Sequence, residues 1–233
     1  MPIQATILAA GLGTRLGKPH PKPLTPLSSG ETIMRRQIDT LRATFGRELR
    51  IVAVVGFKMD LVIEANPDIT FAYNEVYDST NTSKSLLKAL ELSGPGGVLW
   101  MNGDVVFDAR LLAIVRDRIA RDTSFICVNT ESVADEEIKY TLDENGMIAE
   151  LSKQVADGLG EAVGINFVAA KDKPALIRQL RECADQDYFE RGIELAIAKE
   201  NVAFEPFDIS AYQCVEVDFE YDLARANSML TRR

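Results

Sequence analysis

Three short runs constrain what this chain can fold into: residues 7–10 (ILAA), 51–55 (IVAVV) and 97–101 (GVLWM). Each is apolar without relief, so each needs cover on both faces, as the inner strands of a parallel sheet do. Between them, residues 31–45 place Ile33, Met34, Ile38, Leu41 and Phe45 at near-helical spacing. A second, shorter helix is expected over residues 59–64, stopped by Asn66-Pro67, with a strand over 69–73. Strand and helix in alternation mean an α/β fold with crossover helices.

The first strand breaks into residues 11–24, GLGTRLGKPHPKPL. Gly11 and Gly13 let the backbone turn tightly and bring its N–H groups against an anion. Thr14 adds a hydroxyl and Arg15 a planar cation matched to phosphate oxygens. Lys18 and Lys22 follow, and Pro21 and Pro23 stiffen the segment that presents Lys22. A polyphosphate cradle is the expectation. It is neither of two familiar phosphate loops. The dinucleotide fingerprint requires a third glycine where Leu16 stands. The Walker spacing fails at Gly17-Lys18, which is followed by Pro19.

Later segments supply complementary groups. Asn81-Thr82-Ser83-Lys84-Ser85 precedes the apolar positions Leu86, Leu87 and Leu90, the signature of a capped helix start whose free N–H groups suit an anion or a ribose. The strand over 97–101 delivers Asn102-Gly103-Asp104. Ligands in open α/β sheets lie beyond the carboxyl ends of strands, where Asp104 is either a turn residue or an oxygen ligand for Mg²⁺. Asp108 is expected to cap a helix near Leu111. After a strand over 123–129, residues 138–151 read as a hairpin around Asn145-Gly146. A strand over 161–168 begins at Glu161. Helices follow over 173–181 and 188–199, then strands over 204–209 and 212–217, then a helix over 221–230. In an extended 214–218, Glu216 and Asp218 share one face, which is either a solvent edge or the completion of a metal site with Asp104.

Composition excludes several classes. A net charge of −9 over 233 residues leaves no basic face for nucleic acid, so the cations of the opening loop stand out locally. Cys127, Cys183 and Cys214, with His20 as the lone histidine, give neither zinc spacing nor a disulfide framework. With no long apolar span and no secretory leader pattern, a cytoplasmic protein with no membrane partner is expected. One domain over 1–233 is expected, with a nucleotide-binding half (1–130) and an acceptor-binding half (131–233).

The text Leu8-Ala9-Ala10-Gly11-x-Gly13-Thr14-Arg15, followed by Pro21-Lys22-Pro23-Leu24, resembles the opening of nucleotidyltransferases that activate sugar 1-phosphates and phospho-alcohols. Asn102-Gly103-Asp104, Gly164-Ile165 and Glu216-Val217-Asp218 follow in family order, and KYTLDENGMIAELSK (139–153) is similar to the branch acting on phosphocholine. The resemblance implies a Rossmann-like three-layer sandwich with a mixed, mainly parallel sheet. It implies that Leu8, Ala9, Ala10, Gly11, Gly13, Thr14, Arg15, Asn81, Ser85 and Gly103 line the nucleotide, and that Arg15 and Lys22 hold phosphates during catalysis. Asp104 and Asp218 would bind Mg²⁺, and Lys153 would meet the acceptor phosphate, with Glu161, Tyr188 and Glu190 nearby. Glu190 would pair with an amine. No acetyltransferase activity is implied, because no left-handed β-helix follows. The expected partners are an NTP, CTP first, and a small phosphorylated or phosphonate acceptor. A sugar-1-phosphate enzyme, a glycosyltransferase and an inactive nucleotide-binding module remain open, although the glycosyltransferase Asp-x-Asp motif is replaced by Asn-Gly-Asp. A homodimer through the hairpin is left open as well.

Overall fold

The computed structural model describes residues 3–131 and 137–231, with the side chain of Thr14 outside that description. The opening run forms β1 (Gln4–Ala9), and its neighbours are β2 (Arg50–Val55), β3 (Thr70–Tyr73) and β4 (Val98–Asn102). These four are mutually parallel in the order β3-β2-β1-β4. β9 (Glu161–Val168) then runs antiparallel between β4 and β6 (Phe125–Asn129), and β10 (Glu205–Asp208) pairs parallel with β6. The hairpin of β7 (Lys139–Leu142) and β8 (Ile148–Ser152) hangs from β9 through the pairing of Lys139 with Glu161.

Strand pleating divides the core into two layers. Ile7 and Ala9 face α1 (Ile33–Phe45) and α4 (Leu111–Ile119), meeting Met34, Ile38, Leu41 and Leu112. Leu8 and Ala10 face the opposite layer of α3 (Thr82–Glu91), α5 (Lys173–Glu182) and α6 (Phe189–Glu200), with Trp100, Leu86, Leu176 and Phe189. The short α2 (Met59–Ala65) joins β2 to β3. This is the expected three-layer sandwich with a mixed, mainly parallel sheet. No helix among the described residues is long and apolar enough to cross a membrane.

A third, smaller core had no counterpart in the sequence reading. β5 (Val105–Phe107) pairs antiparallel with β11 (Cys214–Glu216), apart from the main sheet. Their Val106 and Val215 pack with Leu16, Leu27, Ile33 and Val217, and with Ala226 and Met229 of α7 (Glu220–Thr231). Leu16 therefore pins the opening loop onto the last strand and helix. Three local expectations change. Asn145-Gly146 lies inside a longer loop, where Asp143 accepts from the amides of Asn145 and Met147 at 2.8 and 2.9 Å. The strand expected over 212–217 is only three residues long, so Asp218 lies beyond it. Asp108 bonds the Arg110 amide at 2.9 Å rather than serving as the N-cap of α4, which is Arg110.

Candidate active site

The opening loop folds back on itself through single helical turns at Thr14–Leu16 and Lys22–Leu24. Gly13 has φ +61°, and a Cβ there would stand 3.1 Å from the Lys22 Cβ, so glycine admits the close approach of the Lys22 segment. Lys22 is 9% exposed, an unusual position for an ammonium group unless it is paired. It is paired twice. Its Nζ donates to Asp104 Oδ2 at 2.7 Å and to Asp218 Oδ1. Arg15 Nη1 meets the other Asp218 oxygen at 2.8 Å, and Lys18 reaches Glu220 at 2.5 Å. Burial opposes the charge on Lys22, but Asp104 and Asp218 outweigh it and hold its pKa above the usual lysine value.

Asp104 is set by a tight connection between β4 and β5. Gly103 donates to Leu8 O at 2.9 Å, and a Cβ on Gly103 would lie 2.7 Å from that oxygen. Glycine is required for this turn to sit directly under the end of β1. Val217 N donates to Asp104 O at 3.0 Å, tying the turn to the segment that carries Glu216 and Asp218. Asp222 then accepts from the amides of Asp218 and Phe219 at 3.2 and 3.0 Å, fixing the start of α7.

Asp104, Glu216 and Asp218 consequently bring one carboxylate oxygen each within 4.8 Å of one another. Asp104 Oδ1 is buried and has no hydrogen-bond partner among the described residues. The Glu216 carboxyl is pushed well above the ordinary range by the Asp104 charge, then by burial, Glu137 and Asp218, against the pull of Lys22. All the donors are hard oxygens, the set that Mg²⁺ takes. The residues fit that ion: Glu216, which the sequence placed on one face with Asp218, stands with Asp104 and Asp218.

The remaining expected residues divide into two places. Lys153, just past β8, lies with its Nζ 5.6 Å from the centroid of the Tyr188 ring. Glu190, in the first turn of α6, is 7% exposed, and its Oε2 has no hydrogen-bond partner among the described residues. Burial raises its carboxyl to about 7, its own backbone amide and Lys153 holding it down and Glu194 pushing it further up. Glu161 accepts from Asn129 at 3.3 Å. Glu137, which the sequence reading passed over, interacts electrostatically both with this group and with the acidic residues beside the candidate metal site. Its carboxyl is raised by burial and Glu161, lowered by Lys153, and raised again by Asp218 and Asp222. Asn81 and Ser85 stand at the start of α3 as expected. There Asn81 caps the helix through the Thr82 amide at 2.8 Å, and Ser85 is buried against Asn74 at 3.1 Å. The side chain of Thr14 lies outside the described set.

Residues 5–216 match the MobA-like NTP transferase domain. The chain belongs to that family. Among relatives of this chain, the CMP-5'-(3-aminopropyl)phosphonate synthase of Streptomyces rubellomurinus is 29% identical across 97% of the chain. The chain spans only 38% of that protein's length. The bifunctional protein GlmU of Granulibacter bethesdensis is 36% identical over 49% of the chain and 24% of its own length. In fold, the chain is similar to the inositol-1-phosphate CTP transferase of T. maritima, with a TM-score of 0.81 at 15% identity, covering 100% of this chain and 96% of that one. It is similar also to the CTP:phosphocholine cytidylyltransferase of Streptococcus pneumoniae, with a TM-score of 0.75 at 17% identity, covering 99% of this chain and all of that one.

Proposed function

We propose that the protein transfers a nucleotidyl group from an NTP, CTP in the first place, to a small phosphorylated or phosphonate acceptor and releases pyrophosphate, with Mg²⁺ held by Asp104, Glu216 and Asp218. The observation that carries this reading is the interlock of Lys22 and Arg15 with the carboxylates Asp104 and Asp218. Cations suited to phosphates and carboxylates suited to a divalent ion occupy one place and already hold each other in position. When bound, Mg²⁺ would neutralise phosphate oxygens and orient the leaving pyrophosphate.

An acceptor oxygen forms a bond to the α-phosphorus while the bond to pyrophosphate breaks. The acceptor is anionic at neutral pH, so the step requires no general base, in keeping with a site poor in histidine. Lys22, whose charge is secured by its raised pKa, stabilises the charge that develops on the departing phosphates. Arg15 orients the triphosphate, and the backbone of residues 8–13 with Gly103 lines the nucleotide. Asn81 contributes at the start of α3, next to the buried Ser85. Lys153 meets the acceptor phosphate, with Tyr188 and Glu161 beside it, and Glu190 takes an acceptor amine. The aminopropylphosphonate named for the Streptomyces relative supports both the phosphonate and the amine.

The test is pyrophosphate release across four NTPs with phosphocholine, 2-aminoethylphosphonate, inositol 1-phosphate and several sugar 1-phosphates. Asp104→Asn is the control and is expected to be inactive. Release with CTP and a phospho-alcohol or phosphonate supports the proposal. Release solely with other NTPs and a sugar phosphate would keep the chemistry and replace the acceptor, and release by Asp104→Asn would overturn the site.

A further inference from the structure

The stripe of α1 that faces the core reads Met34, Gln37, Ile38, Leu41, and each of these side chains is at most 2% exposed. A glutamine in such a row is costly to bury unless its amide is bonded. Its Nε2 donates to two backbone carbonyls, Asn102 O at 2.9 Å and Val105 O at 2.8 Å. Those carbonyls flank Gly103 and Asp104. One planar amide thus spans the turn that presents the candidate metal ligand, and both of its hydrogens are used. Its own Oε1 is buried with no partner among the described residues, so the side chain is held there at a cost that an apolar residue would avoid.

The other anchors of the turn come from different directions. Leu8 O on β1 takes the Gly103 amide, and the Val217 amide reaches Asp104 O. Gln37 supplies the third side, from the helix beneath. With backbone held on three sides, the Asp104 carboxylate has little freedom to drift from Glu216 and Asp218. An ion bound by three convergent carboxylates depends on such pre-positioning.

The geometry points to Gln37 as a positioning residue that sets the affinity of the site for its divalent ion by clamping the Gly103–Asp104 turn. This rests on the reading of Asp104 as a metal ligand, and the test separates the two. Mn²⁺ affinity of the free protein is measured by electron paramagnetic resonance, together with thermal midpoints, for wild type, Gln37→Leu, Gln37→Met, Ile38→Ala and Asp104→Asn. Gln37→Leu, near in volume but without donors, is expected to weaken Mn²⁺ binding at least tenfold. It is also expected to lower kcat while the KM for NTP stays within twofold. Ile38→Ala, a cavity in the same helix face, is expected to lower the midpoint as much or more and to keep wild-type Mn²⁺ affinity. The flexible Gln37→Met gives the same reading should the leucine variant not fold. Wild-type affinity in the Gln37 variants, or equal weakening in Ile38→Ala, overturns the clamp while leaving the site intact. Unchanged affinity in Asp104→Asn overturns the metal reading, and the clamp with it.

Discussion

An ammonium group held between two carboxylates, as Lys22 is between Asp104 and Asp218, serves the free protein and the reacting one differently. In the free protein it keeps two half-buried aspartates from facing each other uncompensated, and in the reaction it is aimed at phosphate charge. Lys22→Ala should therefore lower turnover by about 10²–10³-fold. Its thermal midpoint should fall in EDTA and recover on adding Mg²⁺, which replaces the missing positive charge. A midpoint indifferent to Mg²⁺ would count against the pairing. Glu190 gives a pH signature instead. Its folded pKa of about 7 lies above the ordinary 4.5 because of burial, so the folded chain keeps a proton that the unfolded chain has lost. Stability from this group is fully present below pH 4.5 and is lost as pH rises through 7, by at most about 3 kcal/mol. Urea midpoints at pH 5 and pH 8 should differ less in Glu190→Gln than in wild type. An identical pH dependence in the two proteins would refute the assignment.

Single elements show where the sequence was readable and where it was not. Long periodic stretches such as α1 were legible because five apolar positions repeat on one face, and the polar Gln37 within that stripe was a signal that went unread. β5 and β11 were not legible as a pair. Each is three residues long, shorter than any window that reveals a period, and their partnership joins residues more than 100 apart in sequence. The site residues Arg15, Lys22, Asp104 and Asp218 could be named from motif text, yet their mutual bonding depends on that unseen pair. Glu137 carries no motif, and only the fold brings it within electrostatic reach of both Glu161 and Asp218. The turn after β4 yields a prediction at this scale. In Gly103→Ala the new methyl carbon would meet the Leu8 carbonyl, which cannot yield without moving β1. A loss of about 1–3 kcal/mol in urea unfolding is expected, together with weakened metal binding. Wild-type stability there would show that the turn has room that the geometry denies.

The order β3-β2-β1-β4-β9-β6-β10 has one antiparallel strand, β9, and that strand is its keystone. Among the described residues β6 and β10 reach the other parallel strands through β9 alone, so a chain cut after residue 130 should leave residues 125–129 without a sheet neighbour. Such a fragment should show faster amide exchange in that segment than the full chain does, and equal protection would contradict the pairing. The same arrangement bears on biosynthesis. As the polypeptide leaves the ribosome, β1 to β4 can assemble early, but the far edge of β4 stays uncovered until residues 161–168 emerge. At about 5–20 residues per second this delay lasts ~3–12 s. During that interval a bare, largely apolar strand edge is offered to any other nascent chain, the kind of exposed surface that chaperones exist to shield.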